Sequence, residues 1–111
     1  MPSHNRALSP GQVEAVARLF AVLSEPSRLV LLQALRGGPL TVSQLMDACS
    51  MKQANVSKHL GVLYDQRLVK RQRQGVSIRY QIADPMVFAL CNLVCGKMER
   101  EARRAVEVFK N

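Results

Sequence analysis

The sequence predicts a mainly α-helical domain carrying one β-hairpin, an α+β arrangement in the order α-α-α-α-β-β-α. Three observations predict it. Apolar residues recur at spacings of three and four in five segments, each bounded by capping or breaking residues. The period changes to two around a glycine over residues 68–82. The chain has only 111 residues, 48% of them hydrophobic and 5% aromatic with no Trp, so Leu, Val, Ala and Ile must fill a small core of short packed helices.

Residues 1–8 are expected as a flexible tail and residues 9–111 as a single domain. Ser9-Pro10 opens the first helix, with Val13, Val16, Ala17, Phe20 and Leu23 on one stripe. Ser24-Glu25-Pro26 ends it and starts a second, because proline's missing N–H is harmless in a first turn. Leu29, Leu32 and Leu35 supply the core stripe of that second helix, and Gly37-Gly38 stops it. Thr41 with Gln44, and Ser50 with Gln53, have the spacing of a capping box. They predict a short helix over residues 42–49 and another over about 51–65, whose buried face carries Val56, Leu60 and Leu63. Val76, Ile78, Tyr80 and Ile82 then alternate with polar residues, after a first strand over 68–73 and a turn at Gln74-Gly75. Such a hairpin is marginal alone and must pack on the helices. Asp84-Pro85 starts the last helix, apolar nearly all round over residues 86–94 and charged from Lys97 to about residue 109. Most of the five Phe and Tyr residues fall on expected core positions.

The net charge is +8. Residues 52–79 hold seven Lys and Arg against one acid, Asp65. A basic balance fits a solvated surface, a nucleic acid or an anionic membrane. Its coincidence with a structural unit favours nucleic acid: a short helix, a tight turn and a second helix make a helix-turn-helix, and the major groove admits such a helix. The second helix offers Lys52, Gln53, Asn55, Ser57 and Lys58, with no acid between Met51 and Tyr64. Gln and Asn pair with adenine, and Lys reaches guanine or phosphate. His59 lies on the same helix, where packing, solvent and DNA are all open to it. Arg71, Arg73 and Arg79 flank the hairpin turn, so the ribbon becomes a basic wing that adds salt-sensitive phosphate contacts. Basic residues on an edge strand also deter aggregation. The fold is thus a winged helix-turn-helix.

Leu23 to Leu29, the run from Gln53 through Ser57 and His59 to Leu60, and Leu68-Val69 with the turn at Gly75 and Tyr80 resemble the ArsR/SmtB family of repressors over about residues 13–95. The resemblance implies a homodimer through the first and last helices, bound to double-stranded operator DNA with an inverted repeat. It also implies repression relieved by a metal, metalloid or thiol-reactive signal. Three sensor patterns of that family do not transfer. Thr41 and Ser43 stand where some members carry a Cys pair, residues 84–109 hold no His, and Gln33 stands at a sulfide-sensing Cys position.

Cys91 and Cys95 remain, four apart and so on one helix face. Soft thiolates suit As(III), Sb(III), Cd(II) or Zn(II) as an inducer, with a third ligand from elsewhere. A cross-dimer disulfide or persulfide is a further redox reading, and simple packing a third. Cys49 reads as packing. No signal peptide or membrane span is evident, the longest apolar run being residues 86–91, so a cytoplasmic protein with reduced thiols is expected. A thiol enzyme is disfavoured by the lack of a nucleophile–base set, a Cys-x-x-Cys or a phosphate loop. An RNA-binding or protein-docking winged helix, and a repressor that answers no ligand, are the alternatives.

Overall fold

The computed structural model describes residues 7–110. Most of the expected tail lies outside them, and Ala7 and Leu8 have no regular structure. Helix α1 (Pro10–Leu23) begins with a complete capping box: the Ser9 hydroxyl accepts from the Gln12 N–H at 3.2 Å, and the Gln12 carboxamide accepts from the Ser9 N–H at 2.8 Å. Helix α2 (Pro26–Ala34) starts under the Glu25 carboxylate, which accepts from the Ser27 N–H at 3.2 Å, and tightens into a 3-10 turn at Leu35–Gly37. A two-residue strand, β1 (Leu40–Thr41), leads into α3 (Val42–Cys49), again opened by a capping box between Thr41 and Gln44.

The second box expected from spacing does not form. Ser50 ends α3 in the left-handed region, φ 52 and ψ 46, and α4 (Gln53–Asp65) starts two residues later than expected. Its N-cap is Lys52, with no side-chain cap. The N–H of Met51 donates to the Met46 carbonyl at 3.2 Å, so this segment satisfies the end of α3 rather than the start of α4.

Strands β2 (Val69–Gln74) and β3 (Ser77–Ile82) pair antiparallel, Val69 opposite Ile82 and Gln74 opposite Ser77. The loop is therefore Gly75-Val76, one residue beyond the expected turn, with Gly75 at φ 62 as a tight turn's first position requires. Val76, expected on the strand, stands fully exposed at the tip. The sheet has three strands in the order β1-β3-β2, with Leu40 opposite Tyr80 and Thr41 opposite Arg79.

The fully enclosed core is aliphatic throughout. Leu31, Leu32 and Leu35 meet Leu45 of α3, then Val56, Leu60 and Leu63 of α4, and Val69 of the sheet. The aromatic residues depart from expectation: Phe20, Tyr64 and Phe109 are exposed, and only Phe88 and Tyr80 lean on the core. On α1 only Val22 and Leu23 are buried, and the predicted stripe of Val13, Val16 and Phe20 faces outward. Helix α5 (Met86–Val108) is held by Val87, with Phe88 and Leu90 against the core and Arg36 over the Phe88 ring at 4.6 Å. Beyond that it leaves the domain. The radius of gyration is 17.4 Å, against about 13 Å for a compact chain of this size. No helix among the described residues is long and apolar enough to cross a membrane.

Candidate nucleic-acid interface

Four residues of α4 face inward: Val56, His59, Leu60 and Leu63. They fix the rotation of the helix and so decide what it presents. Lys52, Gln53, Asn55, Ser57 and Lys58 are all exposed. At 3.6 residues per turn they do not form one row. Gln53, Ser57 and Tyr64 share one flank, Ala54, Lys58 and Gly61 run opposite the core, and Asn55 lies on the far flank. Lacking a side-chain cap, the first turn of α4 keeps its N–H groups free, a favourable end for an anion.

His59 corrects the expectation that grouped it with the DNA-facing residues. It is 8% exposed, and its Nδ1 lies 3.2 Å from Nη1 of Arg28 at the start of α2. Burial first, then the Arg28 charge, hold its pKa below the ordinary histidine value of 6.5. A ring turned into the scaffold favours packing over a groove contact.

The three wing arginines separate. Cross-strand partners share a face, so Arg71 and Arg73 lie with Tyr80 and Ile78 on the side of Val69, while Arg79 lies opposite Gln72 and Thr41 on the other. Arg71 stacks on the Tyr64 ring at 4.1 Å, and the adjacent Tyr80, then Tyr64, raise its pKa. The row from Gln53 through Ser57 to Tyr64 thereby continues into the wing. Arg73 is exposed near the tip. Arg79 is half-buried, and its Nε has no hydrogen-bond partner among the described residues. Tyr64 was not singled out from sequence, although its spacing from Gln53 and Ser57 was the available signal.

Cys49 packs on the core with its Sγ 3.9 Å from the Val30 carbonyl oxygen, and burial pushes its thiol pKa up. Cys91 is half-buried and Cys95 exposed on α5. Among the described residues no three His, Cys, Asp or Glu gather as a metal-ligand set. Around these cysteines Leu93, Val94 and Met98 are exposed, at 72%, 50% and 63%.

A helix-turn-helix domain family matches residues 23–72, the span from the end of α1 into the wing. The transcriptional repressor SmtB homolog of Synechocystis is 36% identical over 92 residues, covering 83% of this chain and 70% of that one. The crystal structure of the antimony-specific transcriptional repressor AntR superposes with a TM-score of 0.75 at 36% identity, covering 90% of this chain and 92% of that one. The homodimeric winged helix-turn-helix DNA-binding domain of Mb0332 from Mycobacterium bovis superposes with a TM-score of 0.73 at 25% identity, covering 89% and 95%. With the fold, the exposed α4 flank without acids from Gln53 to Tyr64 and these relatives in agreement, the chain belongs to the ArsR/SmtB family of winged helix-turn-helix transcriptional repressors, which are DNA-binding regulators and not enzymes.

Proposed function

We propose that the protein is a homodimeric repressor that reads an inverted-repeat operator with α4 and is released by a thiophilic ion at Cys91 and Cys95. The observation that carries the DNA reading is the exposed flank of α4 through Gln53, Ser57 and Tyr64, free of acids and running into the wing. Gln53, Asn55 and Ser57 supply base contacts, and Lys52, Lys58, Arg73 and Arg79 supply phosphate contacts. Arg71 braces the wing on Tyr64. The homodimer is supported by the apolar residues that α1 and α5 turn outward, Val13, Val16 and Phe20 on one and Leu93, Val94 and Met98 on the other, and by the homodimeric relative. The reading puts the chain in the cytoplasm beside its DNA, with its thiols reduced.

The signal is proposed from chemistry. Two thiolates one helical turn apart suit a soft ion, and a solved relative is named for antimony. Two ligands are too few for a tight site, so the third comes from the partner copy or from solvent. Because α5 is the proposed seam, an ion there shifts the angle between the two α4 helices. The competing reading, a repressor that answers no ligand, is favoured by the lack of a third ligand near the pair among the described residues.

The test is fluorescence-anisotropy titration on DNA from upstream of the protein's own gene, under reducing conditions, with and without Sb(III), As(III), Cd(II) and Zn(II). Binding lost with one ion, and retained with that ion in Cys91→Ser/Cys95→Ser, is the expected result. Normal release of the double variant removes the cysteines from the mechanism; no release by any additive favours the ligand-independent repressor.

A further inference from the structure

Arg28 stands where three helices meet. It belongs to the first turn of α2. Its Nε donates to the Val22 carbonyl oxygen of α1 at 2.7 Å, and its Nη1 is 3.2 Å from His59 Nδ1 on α4. Each partner needs it. Val22 sits at the end of α1, and the residue four further on is Pro26, which has no N–H to give that carbonyl. His59 is the one buried polar side chain among the described residues. A guanidinium only donates, so Nδ1 accepts and the ring proton resides on Nε2. The two bonds join the helix with the exposed stripe of Val13, Val16 and Phe20 to the helix that presents Gln53 and Ser57.

We propose that Arg28 is a positioning residue for DNA recognition: through Val22 and His59 it fixes α4 to the end of α1, so that a shift of the interface helix re-aims the reading face. This rests on the reading of α4 as the recognition helix. It differs from a phosphate contact, because the two donors that matter, Nε and Nη1, go to protein acceptors, and from plain packing, because it requires an unprotonated acceptor at residue 59. The charged groups acting on the ring are Arg28 in the first turn of α2, Glu25 at its N-cap and Lys58 on the ring's own helix. Protonation sets an imidazolium against Arg28 with no lone pair left at Nδ1. Since the joint needs the neutral ring, whose pKa lies below 6.5, it holds at neutral pH and is lost as the pH falls below that value.

The probe is a duplex of about 30 base pairs, long enough for two half-sites a helical turn or more apart, selected by the wild-type protein from a random pool. Arg28→Ala and His59→Phe each bind it about tenfold more weakly, as loss of one charge-assisted hydrogen bond predicts. The double variant is no weaker than the weaker single one. The dependence on salt is unchanged, and His59→Asn, whose Oδ1 replaces the acceptor, regains most of the affinity and loses the acid sensitivity. Additive losses, a shallower salt dependence in Arg28→Ala, or no recovery in His59→Asn overturn the proposal. Amide exchange in the free chains reads the joint without DNA. Arg28→Ala speeds exchange over residues 53–60 but not at Leu45 of α3, and unchanged exchange in α4 overturns the proposal even if no duplex is selected. Failure to select any duplex counts instead against α4 as a DNA reader.

Discussion

Helices α4 and α5 are both largely exposed, yet they are finished to different degrees. Helix α4 buries Val56, His59, Leu60 and Leu63 within its own chain and exposes no aliphatic side chain larger than Ala54. Helix α5 buries Val87 alone and leaves Leu93, Val94, Met98, Val106 and Val108 exposed. One chain therefore completes the reading helix and only half builds the other. The contrast teaches that the face proposed to read DNA is set by intrachain packing, whereas the proposed seam on α5, with Cys91 and Cys95, is left open by its own chain.

The sharpest way to break this contrast is to damage each helix separately. Leu60→Ala should lower unfolding stability by about 2–5 kcal/mol, measured by urea denaturation, because Leu60 is fully enclosed. Leu93→Ser with Met98→Ser should instead move the protein from dimer to monomer in sedimentation equilibrium while far-ultraviolet circular dichroism at high concentration stays native. A double variant that remains dimeric would place the seam elsewhere. Next in size, Lys52→Ala, Gln53→Ala and Ser57→Ala should each weaken operator binding by about 1–3 kcal/mol without moving the melting temperature. Unchanged affinity in all three would mean that a different face reads the DNA. A smaller effect is expected at the wing. Arg71→Ala and Tyr64→Leu remove two halves of one stack, so their losses in operator affinity should not add. Smallest is Gly61→Ala. No neighbouring atom lies within 4 Å of an added Cβ there, so the free protein should gain about 1 kcal/mol of helix propensity in thermal melts. If the operator backbone passes over the row of Ala54 and Lys58, the same methyl weakens binding, and stability and affinity then move in opposite directions.

Much of this was legible because capping and periodicity are local. Thr41 reached the expected Gln44 side chain, Ser9 opened α1 as expected with a Gln12 box that had not been singled out, and the α3 limits follow directly from Thr41 and the turn after Cys49. Ser50 misled for the same reason: the spacing to Gln53 is right, but a hydroxyl residue can end a helix in the left-handed region as well as start one, and the choice is made by the bond from Met51 to Met46. Strand β1 is two residues long, too short to display a period, and exists because β3 offers it an edge. Periodicity identified the apolar stripe of α1 but not what it faces, since one chain and two chains impose the same spacing. His59 and Arg28 sit far apart in sequence, and no local pattern pairs them. The separation of the wing arginines was legible, because strand parity alone puts Arg79 opposite to Arg71 and Arg73; the shift of the turn to Gly75-Val76 only fixes Gln72 as the partner of Arg79.

The stack of Arg71 on Tyr64 has an optical consequence. The chain holds no Trp and two Tyr, and these two, Tyr64 and Tyr80, flank the same guanidinium. Unlabelled tyrosine emission thus originates entirely at the joint between α4 and the wing, and a titration followed by that emission reports the joint in real time, with no reporter group added to the protein.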